Sequence, residues 1–175
     1  MDSPRAARLA PAIRHATLAD QPAIVAIYND TNPGRHATAD PAPVSVDSRR
    51  EWFAAFDPAS RPGWVAEHEG AVCAWLGLRS FYGRPAYHRT VEAAVYVAPA
   101  HQRRGIARRL LAHALAAAPA LGIATLLAFV FGHNGASLAL FREAGFADWG
   151  RLPRVAELDG VERDVVILGR RIVDP

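Results

Sequence analysis

The chain has 175 residues, 51% of them hydrophobic, which is enough for one domain with a sizeable core. Its formal net charge is +3, yet no basic run is interleaved with aromatic residues, so we expect no nucleic-acid partner. The single cysteine, Cys73, excludes a disulfide framework, and no apolar stretch approaches the roughly 20 residues that span a bilayer. These features predict a cytoplasmic protein without membrane contact.

The first part of the chain predicts one strand followed by two helices. A strand is expected from Ala12 to Thr17, and Thr17 to Asp20 resembles a capping box that opens a helix ending near Asn29. The connection from Thr31 to Val46 contains proline and glycine and is long enough to be a binding loop. Asp47 or Ser48 can then cap a short helix that carries Trp52, Phe53 and Phe56 on one side.

The remainder predicts six strands and two helices. They are a hairpin at 64–76 around a Glu-Gly turn, a strand at 90–97, a helix ending near Pro119, a strand at 123–131, a helix at 134–144 that Gly145 stops, and strands at 146–151 and 163–171. This order indicates an α/β (α+β) domain with a mixed, mostly antiparallel sheet of about seven strands flanked by about four helices. We interpret 1–11 as a flexible tail and 12–175 as a single domain.

A basic loop between a strand and a helix is the most informative motif. The run from His101 to Ala107 follows the apolar strand 91–97 and precedes a helix that begins with basic residues. A helix start of this kind has unpaired N–H groups and a positive dipole end, which together attract a phosphate. Small residues, Gly105 and Ala107, let the backbone approach the ligand, and arginines supply charge-assisted hydrogen bonds. The sequence therefore predicts a pyrophosphate site, with Arg103, Arg104 and Arg108 as its cations.

Three features in this order resemble the GNAT superfamily of acyl-CoA-dependent N-acetyltransferases: the loop 102–107, Asn134 followed by Ser137, and Gly145-Phe146. Over about 12–168 the chain is similar to the branch that acetylates phosphinothricin and methionine sulfone or sulfoximine, and its most specific match is Thr90-Val91-Glu92 ahead of a Val-Tyr-Val strand. The resemblance implies acetyl-CoA as donor, a small amino-acid-like amine as acceptor, and a homodimer.

The resemblance also assigns the donor site. Backbone groups of Val95, Tyr96 and Val97 would meet the acetyl and pantetheine portions of acetyl-CoA. Asn134 would bond the cofactor arm, with Ser137 beside it, although an N-cap and its neighbour explain these two residues as well. The pyrophosphate would be wrapped by Gln102, Arg103, Arg104, Gly105, Ile106 and Ala107.

For the acceptor site the resemblance points to Glu92 as the catalytic carboxylate, although an outward-facing strand residue is the alternative. An alkyl ammonium has a pKa of about 10 and an unperturbed Glu about 4.3, so direct proton abstraction is unfavourable. Glu92 would act through a water chain or hold the ammonium near the thioester, with its pKa raised by burial. Arg84 would bind a substrate carboxylate, with a solvent-exposed loop arginine as the alternative. Tyr87 and Thr90 would line the pocket, with core packing as the alternative for Tyr87.

Some positions depart from the branch pattern. Phe141 stands where many superfamily members carry a proton-donating Tyr, so either water protonates the leaving thiolate or it leaves unprotonated. Ala39-Asp40 and Glu162 replace other residue types of the branch and would reshape the acceptor pocket.

No metal is expected, because the histidines lack ligand spacing. Two alternatives stay open: acetylation of a protein amine, and a non-catalytic acyl-CoA-binding regulatory module.

Overall fold

The computed structural model describes residues 10–173, so most of the predicted tail lies outside the described residues. Their helices and strands follow one another in the predicted order. The strands are β1 Ala12–His15, β2 Gly63–His68, β3 Ala71–Ser80, β4 Thr90–Val97, β5 Thr125–Phe131, β6 Ala147–Leu158 and β7 Val161–Arg171; the helices are α1 Gln21–Asp30, α2 Arg50–Ala54, α3 Ile106–Ala117 and α4 Gly135–Glu143.

All seven of these strands form one sheet, in the order β1-β2-β3-β4-β5-β7-β6. Every neighbouring pair is antiparallel except β4 and β5, which are parallel. A parallel pair needs a crossover connection, and α3 provides it. The predicted fold class, a mixed and mostly antiparallel sheet with four helices, is confirmed.

The sheet has a hydrophobic core on each face. On one face α3 contributes the buried Leu110, Leu111 and Ala114, which belong to the same cluster as Val91 of β4. On the other face Ile24 and Ile27 of α1 and Phe53 of α2 pack with Trp75 of β3. Because side chains alternate along a strand, successive residues of β4 face these two sides in turn.

Several boundaries differ from those expected. Strand β6 continues to Leu158 instead of ending at Arg151, although it contains Pro153. The proline is tolerated because β6 is an edge strand and its pairing with β7 is irregular between Leu152 and Ala156. Strand β3 runs to Ser80, beyond the predicted hairpin, because its residues up to that point pair with β4. Helix α2 has five residues and ends before Phe56.

Among residues 10–173, no helix combines the length and the apolar character that crossing a membrane requires.

Candidate active site

A gap opens in the sheet between β4 and β5. Strand β4 pairs with β3 from Val91 to Val97 but with β5 only from Thr90 to Glu92, opposite Thr125 to Leu127. Both strands continue well past this point. The second half of β4 therefore lacks a neighbouring strand on one side, and its backbone groups on that side have no strand to pair with.

The direction of the β4 backbone groups follows from the hydrogen bonds at its two ends. The Ala98 N–H donates to the Cys73 carbonyl over 2.9 Å, and the Phe81 N–H donates to the Thr90 carbonyl over 3.3 Å. Even-numbered residues of β4 thus direct their backbone groups at β3, and odd-numbered ones direct theirs at the gap. Val95 and Val97 therefore present backbone groups to the gap, whereas the backbone of Tyr96 pairs with that of Trp75.

The loop before α3 has the backbone shape of an anion site. Arg103 has φ 60° and Gly105 has φ 75°, both left-handed, and Gly105 forms the N-cap of α3 without a side-chain hydrogen bond. The first intrahelical bond runs from the Arg109 N–H to the Gly105 carbonyl over 3.1 Å. The N–H groups of Ile106, Ala107 and Arg108 are consequently left for a ligand.

The side chains of this loop differ in how they are engaged. Arg103 and Arg104 are exposed and form no ion pair with any residue of the described chain. Arg108 pairs with Glu143 of α4 over 2.7 Å. Gln102 donates from Nε2 to the Val97 carbonyl over 3.4 Å, which places its amide at the end of the gap. Two arginines are thus available to a phosphate without breaking an existing pair.

Helix α4 starts differently, because a side chain caps it. Asn134 accepts from the Ser137 N–H with Oδ1 over 3.1 Å and donates from Nδ2 to the His36 carbonyl over 2.8 Å. The capping alternative for Asn134 is therefore realised, and the same side chain ties α4 to the loop between α1 and α2. Ser137 is half-buried in the first turn of α4.

On the face covered by α1 and α2, beside the start of the gap, lies a cavity of about 180 Å³. Side chains from four elements and one loop line it, and its polar ends are Arg49, Arg79 and Glu92. Trp75 also lines it, and the Trp75 indole N–H lacks an acceptor within residues 10–173. The walls are completed by Ile24, Val25, Tyr28, Val44, Trp52, Gly77, Ala94 and Tyr96.

Glu92 stands where the gap and the cavity meet. It is the last residue of β4 that pairs with β5, and its side chain lines the cavity. Burial raises the pKa of Glu92, and the nearby Arg79 opposes part of that rise. A carboxylate with a raised pKa beside the free backbone of β4 is suited to handling an amine that reacts in the gap.

A hydrogen-bonded network supports one wall of the cavity. Asp40 accepts from the Tyr28 hydroxyl and pairs with Arg49, whose guanidinium lies 5.3 Å from the Tyr28 ring centroid. The Tyr96 hydroxyl donates to the Ala37 carbonyl over 3.1 Å, and the Tyr96 ring stacks on Trp75 at 4.7 Å. The 31–46 connection is thus attached to the cavity, and Asp40 neutralises Arg49 there.

Arg79 is the second cation of the cavity, and it lies directly across from Glu92 in the β3–β4 register. Its guanidinium lies 5.0 Å from the Trp52 ring centroid and donates to the Trp52 carbonyl over 3.4 Å. It forms no ion pair within 4.0 Å in the part of the chain that the structure describes. Burial lowers the pKa of Arg79, and the charge of Glu92 counteracts this.

The other residues expected at the acceptor site lie outside this cavity. Arg84 and Tyr87 are exposed in the loop between β3 and β4, where Tyr87 packs 5.5 Å from the Phe81 ring. Thr90 is half-buried on the same face of β4 as Glu92 but does not line the cavity. Sequence reasoning missed Arg49 and Arg79, although an arginine at the end of the apolar strand 73–78 is a signal for the second.

The positions that depart from the branch pattern are also accounted for. Phe141 is buried and packs edge-to-face on Phe146 at 5.1 Å, so it is a core residue. Glu162 lies on β7 near Arg154, away from the cavity. Within residues 10–173 no three His, Cys, Asp or Glu side chains are grouped as metal ligands. Of the histidines that the sequence singles out, His36 and His133 pack with their ring centroids 4.9 Å apart.

Comparisons with known proteins agree on one family. The acetyltransferase (GNAT) family model matches residues 22–146. YwnH of Bacillus subtilis (strain 168), whose name assigns it only provisionally to the phosphinothricin acetyltransferases, is 48% identical over 91% of this chain and 98% of its own. The L-methionine sulfoximine/L-methionine sulfone acetyltransferase of Salmonella typhimurium is 32% identical, over 82% and 84%.

One similar solved structure contains bound acetyl-CoA. The phosphinothricin acetyltransferase of Sinorhizobium meliloti in complex with acetyl-CoA superimposes with a TM-score of 0.87 at 28% identity, covering 93% of this chain and 89% of that one.

Proposed function

Because the chain belongs to the acetyltransferase (GNAT) family and uses acetyl-CoA as its donor, we propose that it acetylates the amino group of a small amino-acid-like molecule of the phosphinothricin or methionine sulfone type. The observation that carries this proposal is the position of Glu92, at the point where the β4–β5 gap meets a cavity of about 180 Å³. That volume suits a small acceptor better than a peptide.

The donor site would be built from the free backbone of β4 and the first turn of α3. Acetyl-CoA supplies an activated acetyl group on a thioester. Gap-facing groups of Val95 and Val97 would hold the arm and stabilise charge on the carbonyl oxygen. The first-turn N–H groups of α3, together with Arg103 and Arg104, would bind the pyrophosphate, with Asn134 and Ser137 beside the arm.

Glu92 would act on the acceptor. Burial raises the pKa of Glu92. An alkyl ammonium has a pKa of about 10, so Glu92 would relay its proton through water or hold the ammonium in place while a small free-base fraction reacts. Phe141 cannot donate a proton, so the departing thiolate is protonated by water or leaves as the anion.

The decisive experiment is a panel of amines, amino acids and their analogues, assayed for free-thiol release from acetyl-CoA. We expect turnover with amino acids that carry a sulfone or phosphinate, and none with lysine-containing peptides. Turnover with peptides alone would favour acetylation of a protein amine. Tight coenzyme A binding without turnover of any amine would favour the regulatory module.

The same proposal includes a cytoplasmic homodimer. Cys73 is a free, buried thiol, in keeping with a reducing compartment. The edge strand β6 and its neighbour β7 expose Trp149, Leu152, Val155 and Val161, an apolar surface that a second copy could cover. Light scattering should give twice the chain mass of 18.9 kDa, and a monomer mass would contradict the dimer.

A further inference from the structure

A second cavity lies where the end of β2 meets the start of α3, and we call it the β2–α3 cavity. It measures about 300 Å³, and its polar lining consists of two arginines and two histidines: Arg104, Arg109, His68 and His101. The rest of its lining is apolar and consists of Ala10, Pro11 and Ile106. The cavity shares no lining residue with the one that contains Glu92, and none of its lining residues is a carboxylate.

The fold brings these four polar residues together at one edge of the sheet. Strands β2 and β4 both run antiparallel to β3, so they end at the same edge, β2 at His68 and β4 shortly before His101. Helix α3 begins at that edge, and successive residues point about 100° apart around it. Arg108 pairs with Glu143 of α4, whereas Arg109 lines the β2–α3 cavity. The cavity therefore belongs to the side of α3 that does not face α4.

The charges around this cavity are not compensated by the protein. Within residues 10–173 neither Arg104 nor Arg109 forms an ion pair. The nearest carboxylate to His68 is that of Glu69, 3.9 Å from Nε2, and it is exposed and outside the lining. Two guanidinium groups without a carboxylate between them repel each other, and an anion in the cavity would remove that repulsion.

The histidines supply further hydrogen-bonding groups. The rings of His68 and His101 meet edge-to-face with their centroids 5.7 Å apart. The Nδ1 atom of His101 is buried and has no hydrogen-bond partner in the described part of the chain. An imidazole ring carries an N–H donor in either protonation state, and a guanidinium presents a fork of donors that matches phosphate oxygens.

We propose that the β2–α3 cavity binds a phosphate dianion, at a site separate from the predicted pyrophosphate site. The inference goes beyond the proposed function and holds whichever amine is the acceptor. The phosphate has two possible sources, which share this chemistry: the 3′-phosphate of coenzyme A, or a free phosphate. Arg104 connects the two sites, because it belongs to the loop 102–107 and also lines the cavity.

Inorganic phosphate is the first probe, titrated into the full chain at constant ionic strength. NMR follows the ring signals of His68 and His101, which His68→Gln and His101→Gln assign. We expect saturable shifts of both rings in the wild type and about 10-fold weaker phosphate binding in Arg109→Gln, because one charged hydrogen-bond donor is lost. Arg50→Gln is the matched control, since Arg50 is exposed on α2, on the opposite face of the sheet, and its phosphate affinity should equal that of the wild type.

Coenzyme A and 3′-dephospho-coenzyme A then identify the source. If the 3′-phosphate occupies the cavity, calorimetry should show about 10-fold tighter binding of coenzyme A than of the dephospho form in the wild type, and nearly equal binding in Arg109→Gln. If a free phosphate occupies it, the ratio should be the same in both proteins, and inorganic phosphate should still shift the two rings while coenzyme A is bound. Either result supports the site.

Two results would overturn it. One is a wild-type protein in which neither inorganic phosphate nor coenzyme A shifts the rings of His68 and His101 in a saturable way. The other is equal phosphate affinity in the wild type, Arg109→Gln and His68→Gln, together with an unchanged ratio between the two forms of coenzyme A. Phosphate would then act only at the backbone of α3, and the β2–α3 cavity would bind no anion.

Discussion

The proposed donor and acceptor sides of the site differ in the kind of group that would bind a ligand. On the proposed donor side the candidate binding groups belong to the backbone, since the second half of β4 lacks a neighbouring strand and α3 starts without a side-chain cap. On the acceptor side they are side chains from separate elements, with Glu92, Arg79 and Arg49 brought together around one cavity. A backbone site depends on local conformation, whereas a side-chain site depends on which residues the fold places opposite one another.

The largest effect is expected on the acceptor side, from Glu92→Gln. The change keeps the shape of the side chain but removes the carboxylate, so kcat should fall about 100-fold, within the usual range for a general base. Steady-state kinetics on acetyl-CoA and the best acceptor measures it, and calorimetry should show unchanged affinity for coenzyme A.

Glu69→Gln is the matched control, because Glu69 is exposed in the turn between β2 and β3. Its activity should equal that of the wild type. If Glu92→Gln retained full turnover, Glu92 would have no part in the reaction, and the acceptor site would need another base.

A smaller effect is expected on the donor side, from Ala107→Pro. Proline is accepted in the first turn of a helix, as Pro22 is in α1, but it removes one N–H from the predicted phosphate site. Losing one hydrogen bond to a charged group should weaken coenzyme A binding about 10-fold, measured by calorimetry.

Two variants sharpen this test. Ala107→Val adds a side chain of similar size and keeps the N–H, so its affinity should stay within about 3-fold of the wild type. Ala136→Pro removes the corresponding N–H from α4, whose start Asn134 already caps, and its effect should also be small. Equal affinity in Ala107→Pro and Ala107→Val would show that the α3 backbone does not bind the pyrophosphate.

The smallest effect concerns stability and its pH dependence. A raised pKa in the folded state means that Glu92 stabilises the fold while protonated, below its ordinary pKa of 4.5, and that this contribution is lost as pH rises through the raised value. Glu92→Gln should therefore melt a few degrees above the wild type at pH 7.5 and show a smaller difference near pH 4.5. If Glu92→Gln melted at or below the wild-type temperature at pH 7.5, burying the charged Glu92 carboxylate would not cost stability.

The two sides also differ in how far the sequence reveals them. The loop 102–107 and the order of helices and strands are readable because spacing and local chemistry determine them. The β6 boundary is harder to read, since Pro153 is tolerated only because β6 lies at an edge. Arg79 is missed for a deeper reason: a loop from 81 to 89 separates β3 from β4, and its length does not fix which residue faces Glu92.

The gap between β4 and β5 also has a mechanical consequence. Only three residue pairs join the four-strand half of the sheet, β1 to β4, to the three-strand half. A ligand that fills the gap and contacts both strands takes the place of the backbone hydrogen bonds that are missing between β4 and β5. The donor would thereby stiffen the seam between the halves, and amide hydrogens of β5 far from any transferred acetyl group should exchange more slowly once it binds.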